Sequence, residues 1–244
     1  MRSMNTNQRG FTLIEIVLVV IILGILATIA SLNFSSTVET VKQEATMAEM
    51  QSIINGIVGN PLVVADGHRT DFGYVGDIGA LPPNLDALVV NPGYPNWKGP
   101  YVNPGITSDD FKKDGWNQQY IYVDTLLRSV GSGTNIDKLI AINRAALLSN
   151  TIQGYITDAN GSRPNGLYVD SLLVALTYPN GSGALSTTYT NPDSKGRFQF
   201  VNTPVGVHNI RVIYIPDHDT STYTVAVNPG RSTNLQITFP ADLW

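Results

Sequence analysis

Between Phe11 and Leu32 the chain reads FTLIEIVLVVIILGILATIASL, an apolar run broken by one charge, Glu15. Such a run is close to the roughly 20 residues that a helix needs to cross a bilayer. Arg2 and Arg9 precede it, with no acid before Glu15. The positive-inside rule then keeps the amino terminus cytoplasmic and sends everything after Leu32 outward. An ionisable side chain within a spanning segment costs about 2.5–3.5 kcal/mol on insertion scales and calls for a partner. The next basic residue is Lys42, so the helix offers none nearby. Cleavage between Gly10 and Phe11 would create one, a new α-ammonium presented to Glu15 by an adjacent copy. The alternative, a plain signal anchor holding a soluble domain, leaves Glu15 without a role.

On these residues, RGFTLIEIVLVVIILGILATIA resembles the class III leader and N-terminal helix of type IV pilins and type II secretion pseudopilins. The shared features are a polar leader ending in Gly10, a new N-terminal Phe11, an acid at the fifth mature position and a long apolar helix. The resemblance implies cleavage after Gly10 and N-methylation of Phe11 by a membrane aspartic prepilin peptidase. It further implies residence in a bacterial inner membrane, where the helix contacts lipid. Inner-membrane machinery would then assemble the chain into a homopolymeric filament, periplasmic or extracellular. Gly10 and Phe11 become the processing residues, and Phe11 and Glu15 the assembly residues, Glu15 meeting the Phe11 amine of a neighbour. One departure is Leu32, where many relatives carry a helix-loosening proline. Gly24 is a weak point in the helix, best read as a packing accommodation.

Composition divides the remainder. All four glutamates (Glu15, Glu39, Glu44 and Glu49) fall in the first 49 residues, and all 14 prolines at Pro61 or later. Glutamate favours helix and proline breaks it, so helix is expected to about Val58, with strands and turns beyond. Val38, Val41, Ala45 and Ala48 recur at three- and four-residue steps, an amphipathic continuation of the apolar helix. At about 1.5 Å per residue the rod from Phe11 to Val58 is roughly 70 Å long. There are no cysteines, which excludes disulfides, thiolate zinc sites and a cysteine nucleophile. The formal net charge of -4 argues against a nucleic-acid partner.

In residues 59–142, Leu81, Leu85 and Leu88 predict a short helix after Pro82-Pro83, and QYIYVDTLL has strand composition, with Tyr120, Tyr122 and Asp124 on one face. The order ALPPNLDALV, WKGPYVNP, KDGWNQQYIY is similar to the globular domain of the major pseudopilin of type II secretion, at Trp97, Gly99, Pro100, Tyr101, Asp114, Trp116, Tyr120 and Tyr122. Read as residues, these are a small aromatic core and its turns. The family pattern often continues into a calcium-binding loop. Here the corresponding RSVGSGTNID keeps Gly131 and Gly133 but has one carboxylate, Asp137, with Asp124 upstream. Calcium takes six to eight oxygen ligands. Asp124 and Asp137 are the candidate calcium ligands, with an ordinary glycine turn as the favoured reading and no cofactor otherwise expected.

Residues 143–150, NRAALLSN, read as a linker. From there IQGYITD, SLLVALTYP, GRFQFVN, HNIRVIYIP, YTVAVNPG and NLQITF alternate with Asn-Gly and Pro-Gly turns. About seven strands so punctuated predict a β-sandwich. This stretch resembles the carboxypeptidase regulatory-like, transthyretin-like family at Gly154, Asp158, Gly161, Asp193, Gly196, Phe198 and Phe200. Such modules are structural or ligand-presenting. Lys195, in a turn, is poorly placed for the isopeptide bond of related pilus domains.

The expectation is therefore an α+β chain: a leader (1–10), a long helix (11–58), a small pilin-type α/β domain (59–142), a linker (143–150) and an all-β sandwich (151–244). His68, His208 and His218 are dispersed, Asp217-His218-Asp219 reads as a polar loop, and no catalytic motif is found. A structural filament subunit, most like the major pseudopilin, is the leading function. The alternatives are a surface pilin displaying the sandwich and a monomeric membrane-anchored binding protein. An enzyme is not expected.

Overall fold

In a computed structural model, the structure describes residues 10–105 and 109–244, and for 29–35 the backbone alone. The leader residues before Gly10, with Arg2 and Arg9, and the side chain of Leu32 lie outside the described residues. The chain divides into two compact units, Met1–Ala45 and Thr46–Trp244.

One helix, α1 (Leu13–Val58), supplies the first unit and the opening of the second. Among the described residues, no helix is long and apolar enough to cross a membrane. The apolar run that begins at Leu13 continues into residues 29–35, whose side chains are not described. The expected amphipathic stripe is displaced. Val41, Ala45 and Ala48 are exposed, whereas Thr46, Met50, Ile53, Ile54 and Ile57 are buried. The larger side chains of MAEMQSIINGIV set the packed face, because alanines offer little area to bury. The helix ends at Gly59, whose φ of +80° is open to glycine at little cost. Arg69 caps it from outside, donating to the carbonyls of Val58 and Gly59.

The core of the second unit begins against this helix. A hairpin of β1 (Val64–Ala65) and β2 (His68–Arg69) leads to α2 (Gly73–Ile78), which buries Tyr74, Val75 and Ile78. The short helix expected after Pro82-Pro83 is a single 3-10 turn, Leu85–Leu88, capped by Asn84 accepting from Ala87 N at 3.1 Å. QYIYVDTLL is a hairpin rather than one strand. β3 (Ile121–Val123) and β4 (Leu126–Ser129) pair in antiparallel fashion, and β5 (Ile136–Leu139) completes the sheet. Asp124, at φ 52°, occupies the turn, so it does not share a strand face with Tyr122. Residues 144–148 form α3 (Arg144–Leu148), whose Leu147 is 1% exposed in the core built on α1.

The sandwich is made of seven strands. One sheet has the order β11 (Asp219–Val227), β10 (Gly206–Tyr214), β7 (Leu172–Pro179), β8 (Leu185–Thr190). The other has β12 (Ser232–Thr238), β6 (Asn150–Thr157), β9 (Arg197–Thr203), with β12 parallel to β6. β8, LSTTYT, is the strand absent from the apolar runs of the sequence, because as an edge it buries no large side chain. Between the sheets lie Ile152, Ile156, Leu172, Val174, Phe198, Phe200, Ile210 and Val212. Main-chain bonds join the sandwich to the preceding segment, Gly181 N to Ile78 O and Asn96 N to Gly183 O, both 2.8 Å.

Candidate functional site

Eight consecutive residues at the head of α1, Ile16 to Leu23, are each 46–61% exposed. Eight residues make more than two turns, so every face of the helix presents leucine, isoleucine or valine. An isolated chain in water cannot keep such a cylinder bare, and the segment calls for a cover of other apolar groups.

At its tip, Phe11 is 76% exposed. Thr12 stands immediately before the helix, and two reciprocal bonds close its first turn. Thr12 N donates to Glu15 Oε2, and Glu15 N donates to Thr12 Oγ1, each at 3.4 Å. This is a Thr-x-x-Glu capping box, and it places the carboxylate where the helix dipole is positive. Thr12 is the site residue that sequence reasoning missed, although threonine three places before an acid at the head of an apolar run was its signal. Glu15 therefore has a role within its own helix. Its Oε1 accepts no bond from the described residues, and the side chain is exposed, leaving it able to receive a cation.

In the second unit, the glycine loop after β4 wraps a carboxylate. Asp114, 5% exposed, accepts through Oδ1 from Trp116 N (3.0 Å) and Gln118 N (2.9 Å). Its Oδ2 accepts from the Ser129 hydroxyl (2.6 Å) and Gly131 N (3.0 Å). Burial alone would raise this carboxyl, but the Ser129 hydroxyl and the three N–H groups outweigh it and hold the pKa below the usual range. A Cβ on Gly131 would lie 2.5 Å from Oδ2 and 2.7 Å from Oδ1, so the approach requires glycine.

The candidate calcium ligands are engaged elsewhere and apart. Asp137 faces Arg128 in a two-pronged ion pair, 2.6 and 2.7 Å, and Asp124 pairs with Arg144 at 3.2 Å. Asp137 is level with Arg128 on the β4–β5 ladder, whereas Asp124 sits in the β3–β4 turn, before β4 begins. Among the described residues, no three potential ligands gather as a metal site.

The aromatic positions tie this segment to α1 and to itself. Tyr120 donates to Glu49 Oε2 at 2.9 Å, Trp97 Nε1 to Ala87 O at 2.9 Å, and Tyr122 to Pro82 O at 3.0 Å. In the sandwich, Asp158 and Asp193 brace turns through backbone N–H groups, and Phe198 and Phe200 lie in the core.

Residues 5–31 match the prokaryotic N-terminal methylation motif, so the chain carries a type IV pilin-like leader. No curated protein matches it. Among solved structures, the chain is similar to the dioxygenase domain of a dioxygenase and carbohydrate-binding fusion from Streptomyces sp. SirexAA-E, at 9% identity and TM-score 0.29, over 39% of this chain and 81% of that one. It is similar to a streptococcal ancillary pilin at 13% identity and TM-score 0.26, over 49% and 43%. A variant of the major pilin subunit of Bacillus cereus gives 14% identity and TM-score 0.25, over 47% and 36%. Likenesses this faint leave the functional reading to the leader and the helix that follows it.

Proposed function

We propose that this chain is a structural subunit of a type IV pilus-like filament, cleaved after Gly10, methylated at Phe11 and assembled through α1. The observation that carries the reading is the exposed apolar cylinder from Ile16 to Leu23 behind an N-terminal methylation motif. Before assembly the cylinder sits in the inner membrane; after it, the same side chains pack among neighbouring copies. Covering eight half-exposed aliphatic side chains is worth on the order of 10 kcal/mol relative to water, which keeps the cylinder either in lipid or among other copies. Passage from lipid to the filament gains no such term and rests on close packing and on the charge pair of Glu15. Glu15 supplies register. Its free oxygen receives the Phe11 ammonium of the adjacent copy, so a mis-set neighbour leaves a charge unpaired in apolar surroundings. The partners are further copies of the chain, prepilin peptidase and the assembly machinery.

The finer reading is a subunit most like the major pseudopilin of type II secretion. Its support is that Trp97, Tyr101, Asp114, Tyr120 and Tyr122, the positions of resemblance, anchor the segment after α1. The separate core of the sandwich favours a second reading, a surface pilin that displays this module. Electron microscopy of sheared material together with the isolated cell envelope tests the proposal. Wild-type chain forms filaments and Glu15→Ala does not; filaments indifferent to Glu15, or none from wild type, overturn it. Filaments long enough to shear from the cell surface favour the second reading, and short ones confined to the periplasm the first.

A further inference from the structure

Asparagine followed by glycine is the pair in which a backbone nitrogen most readily reaches the preceding side-chain carbonyl, because glycine places no Cβ beside the nucleophile. The chain holds four such pairs, Asn55-Gly56, Asn160-Gly161, Asn165-Gly166 and Asn180-Gly181. Ring closure needs a free glycine nitrogen and room for the pair to turn. Three pairs fail on that count. Gly56 lies inside α1, its N–H committed to the helix ladder, and a Cβ there would stand 2.5 Å from the Val102 side chain. Gly161 N donates to Asp158 O at 3.0 Å, and Gly181 N to Ile78 O at 2.8 Å.

The fourth pair differs. Asn165 and Gly166 stand in the loop between β6 and β7, both exposed, with Leu167 84% exposed beside them. The loop is held on either side of them. Trp244 Nε1 donates to Ser162 O at 3.0 Å, its ring lies against Tyr168 with centroids 6.5 Å apart, and Pro164 is buried. Between those anchors, Gly166 N donates to no group among the described residues. Apart from its chain neighbours, no heavy atom comes within 4 Å of where a Cβ on Gly166 would be. The Asn165 side chain is folded along the backbone: its Oδ1 accepts from Leu167 N at 2.8 Å, and its main-chain carbonyl accepts from Tyr168 N at 3.1 Å. The first of these bonds keeps the carboxamide beside the Gly166 peptide. It also puts a donor on the oxygen that takes up charge when Cγ is attacked. Asn180 has a like bond, from Ser182 N at 3.0 Å, so the free nitrogen of Gly166 is what sets Asn165 apart.

We infer that Asn165 is a self-modification site, at which the folded chain converts an amide into a carboxylate without an enzyme. Hydroxide takes the Gly166 N–H proton and the nitrogen attacks Asn165 Cγ. The side-chain nitrogen then leaves as ammonia, taking a proton from water and returning hydroxide. The new C–N bond closes a five-membered succinimide. Water opens that ring at either carbonyl, leaving an aspartyl or an isoaspartyl residue, and nothing is oxidised or reduced. The formal net charge of -4 becomes one unit more negative at the tip of a sandwich loop, and the isoaspartyl product adds a backbone carbon there. Chain that stays folded for long therefore gathers charge at one point of the sandwich surface.

The test follows full-length chain in micelles, incubated folded and, in parallel, unfolded in guanidinium, at mildly acidic and mildly alkaline pH. Samples are digested in acid and sequenced by mass spectrometry, which locates each change of amide to acid. In the folded chain Asn165 is expected to convert about tenfold faster than Asn160 or Asn180, one hydrogen bond's worth, at a rate that rises with hydroxide. In guanidinium the three sandwich pairs should convert at comparable rates, which assigns the difference to the fold. Gly166→Ala, whose Cβ meets open space, should slow conversion at Asn165 and leave thermal unfolding unchanged. Three results would overturn the inference: Asn160 or Asn180 converting as fast as Asn165 in the folded chain, Asn165 persisting there while the unfolded pairs convert, or a rate indifferent to Gly166→Ala.

Discussion

Asp114→Asn is the sharpest probe of the second unit, because it changes one atom in a carboxylate that accepts four hydrogen bonds. The asparagine oxygen takes the place of Oδ1 and keeps Trp116 N and Gln118 N. Its NH₂ then stands where Oδ2 was, facing the Ser129 hydroxyl and Gly131 N. The hydroxyl can rotate to accept. The Gly131 N–H cannot, so one donor is stranded against another. A hydrogen bond to a charged group contributes about 1.5–3 kcal/mol, and a stranded buried donor costs about 1–3 kcal/mol. Allowing for partial relaxation, the variant should lose about 3 kcal/mol. For a chain of this size that is about 6–12 °C in Tm, read by thermal unfolding of the full chain in micelles. The pH dependence has a defined sign. With its pKa held below the usual value, ionised Asp114 contributes fully above about pH 4, and the contribution fades as pH falls through the depressed pKa. The variant lacks this fade, so the two curves converge in acid. A shift under about 2 °C at neutral pH, or curves that stay parallel in acid, would refute the reasoning. Excess calcium should leave the wild-type Tm unchanged, whereas saturating a site at a hundred times its Kd would add about 2.7 kcal/mol.

Three further outcomes are expected. Burial raises the Glu49 carboxyl against the opposing Tyr120 bond, with Asp114 and Asp110 adding to the rise; Glu49→Gln should therefore stabilise the chain at pH 7 and make no difference below about pH 4, where both states are protonated in the wild type. His208 is neutral in the fold with a lowered pKa, so stability should decline as pH falls below about 6.5, where only the unfolded state takes up the proton; unfolding of His208→Gln should lack that slope. Ile57→Ala, at a position 0% exposed, should cost about 2–5 kcal/mol by urea unfolding, whereas Val41→Ala, at a position 58% exposed, should leave monomer stability within about 0.5 kcal/mol.

The long helix, its end near Val58 and the sandwich were legible because each rests on a periodic or compositional signal: proline exclusion, an apolar run, alternating strands between Asn-Gly turns. The packed face of α1 was misread by a residue or so, because Val41, Ala45 and Ala48 fit the helical period as well as Met50, Ile53 and Ile57 do, and spacing does not weigh side-chain size. The β3–β4 turn was hidden inside QYIYVDTLL, where nothing but Asp124 marks the reversal. The Asp114 clasp joins residues brought together by β4 and its loop, a pairing that no local pattern announces. At the amino terminus, Gly10, Phe11 and Glu15 could be named from sequence because their chemistry is written in consecutive residues. Thr12 was equally legible and was passed over because Glu15 already had an explanation.

The most direct test of the account is the intact mass of the protein isolated from membranes of cells that carry prepilin peptidase. The account predicts a chain that begins at Phe11 and is heavier by one methyl group, with the leader through Gly10 gone. A chain retaining Met1 or Arg2, with Phe11 internal and unmodified, would contradict it and leave Glu15 as a helix cap on a tethered domain.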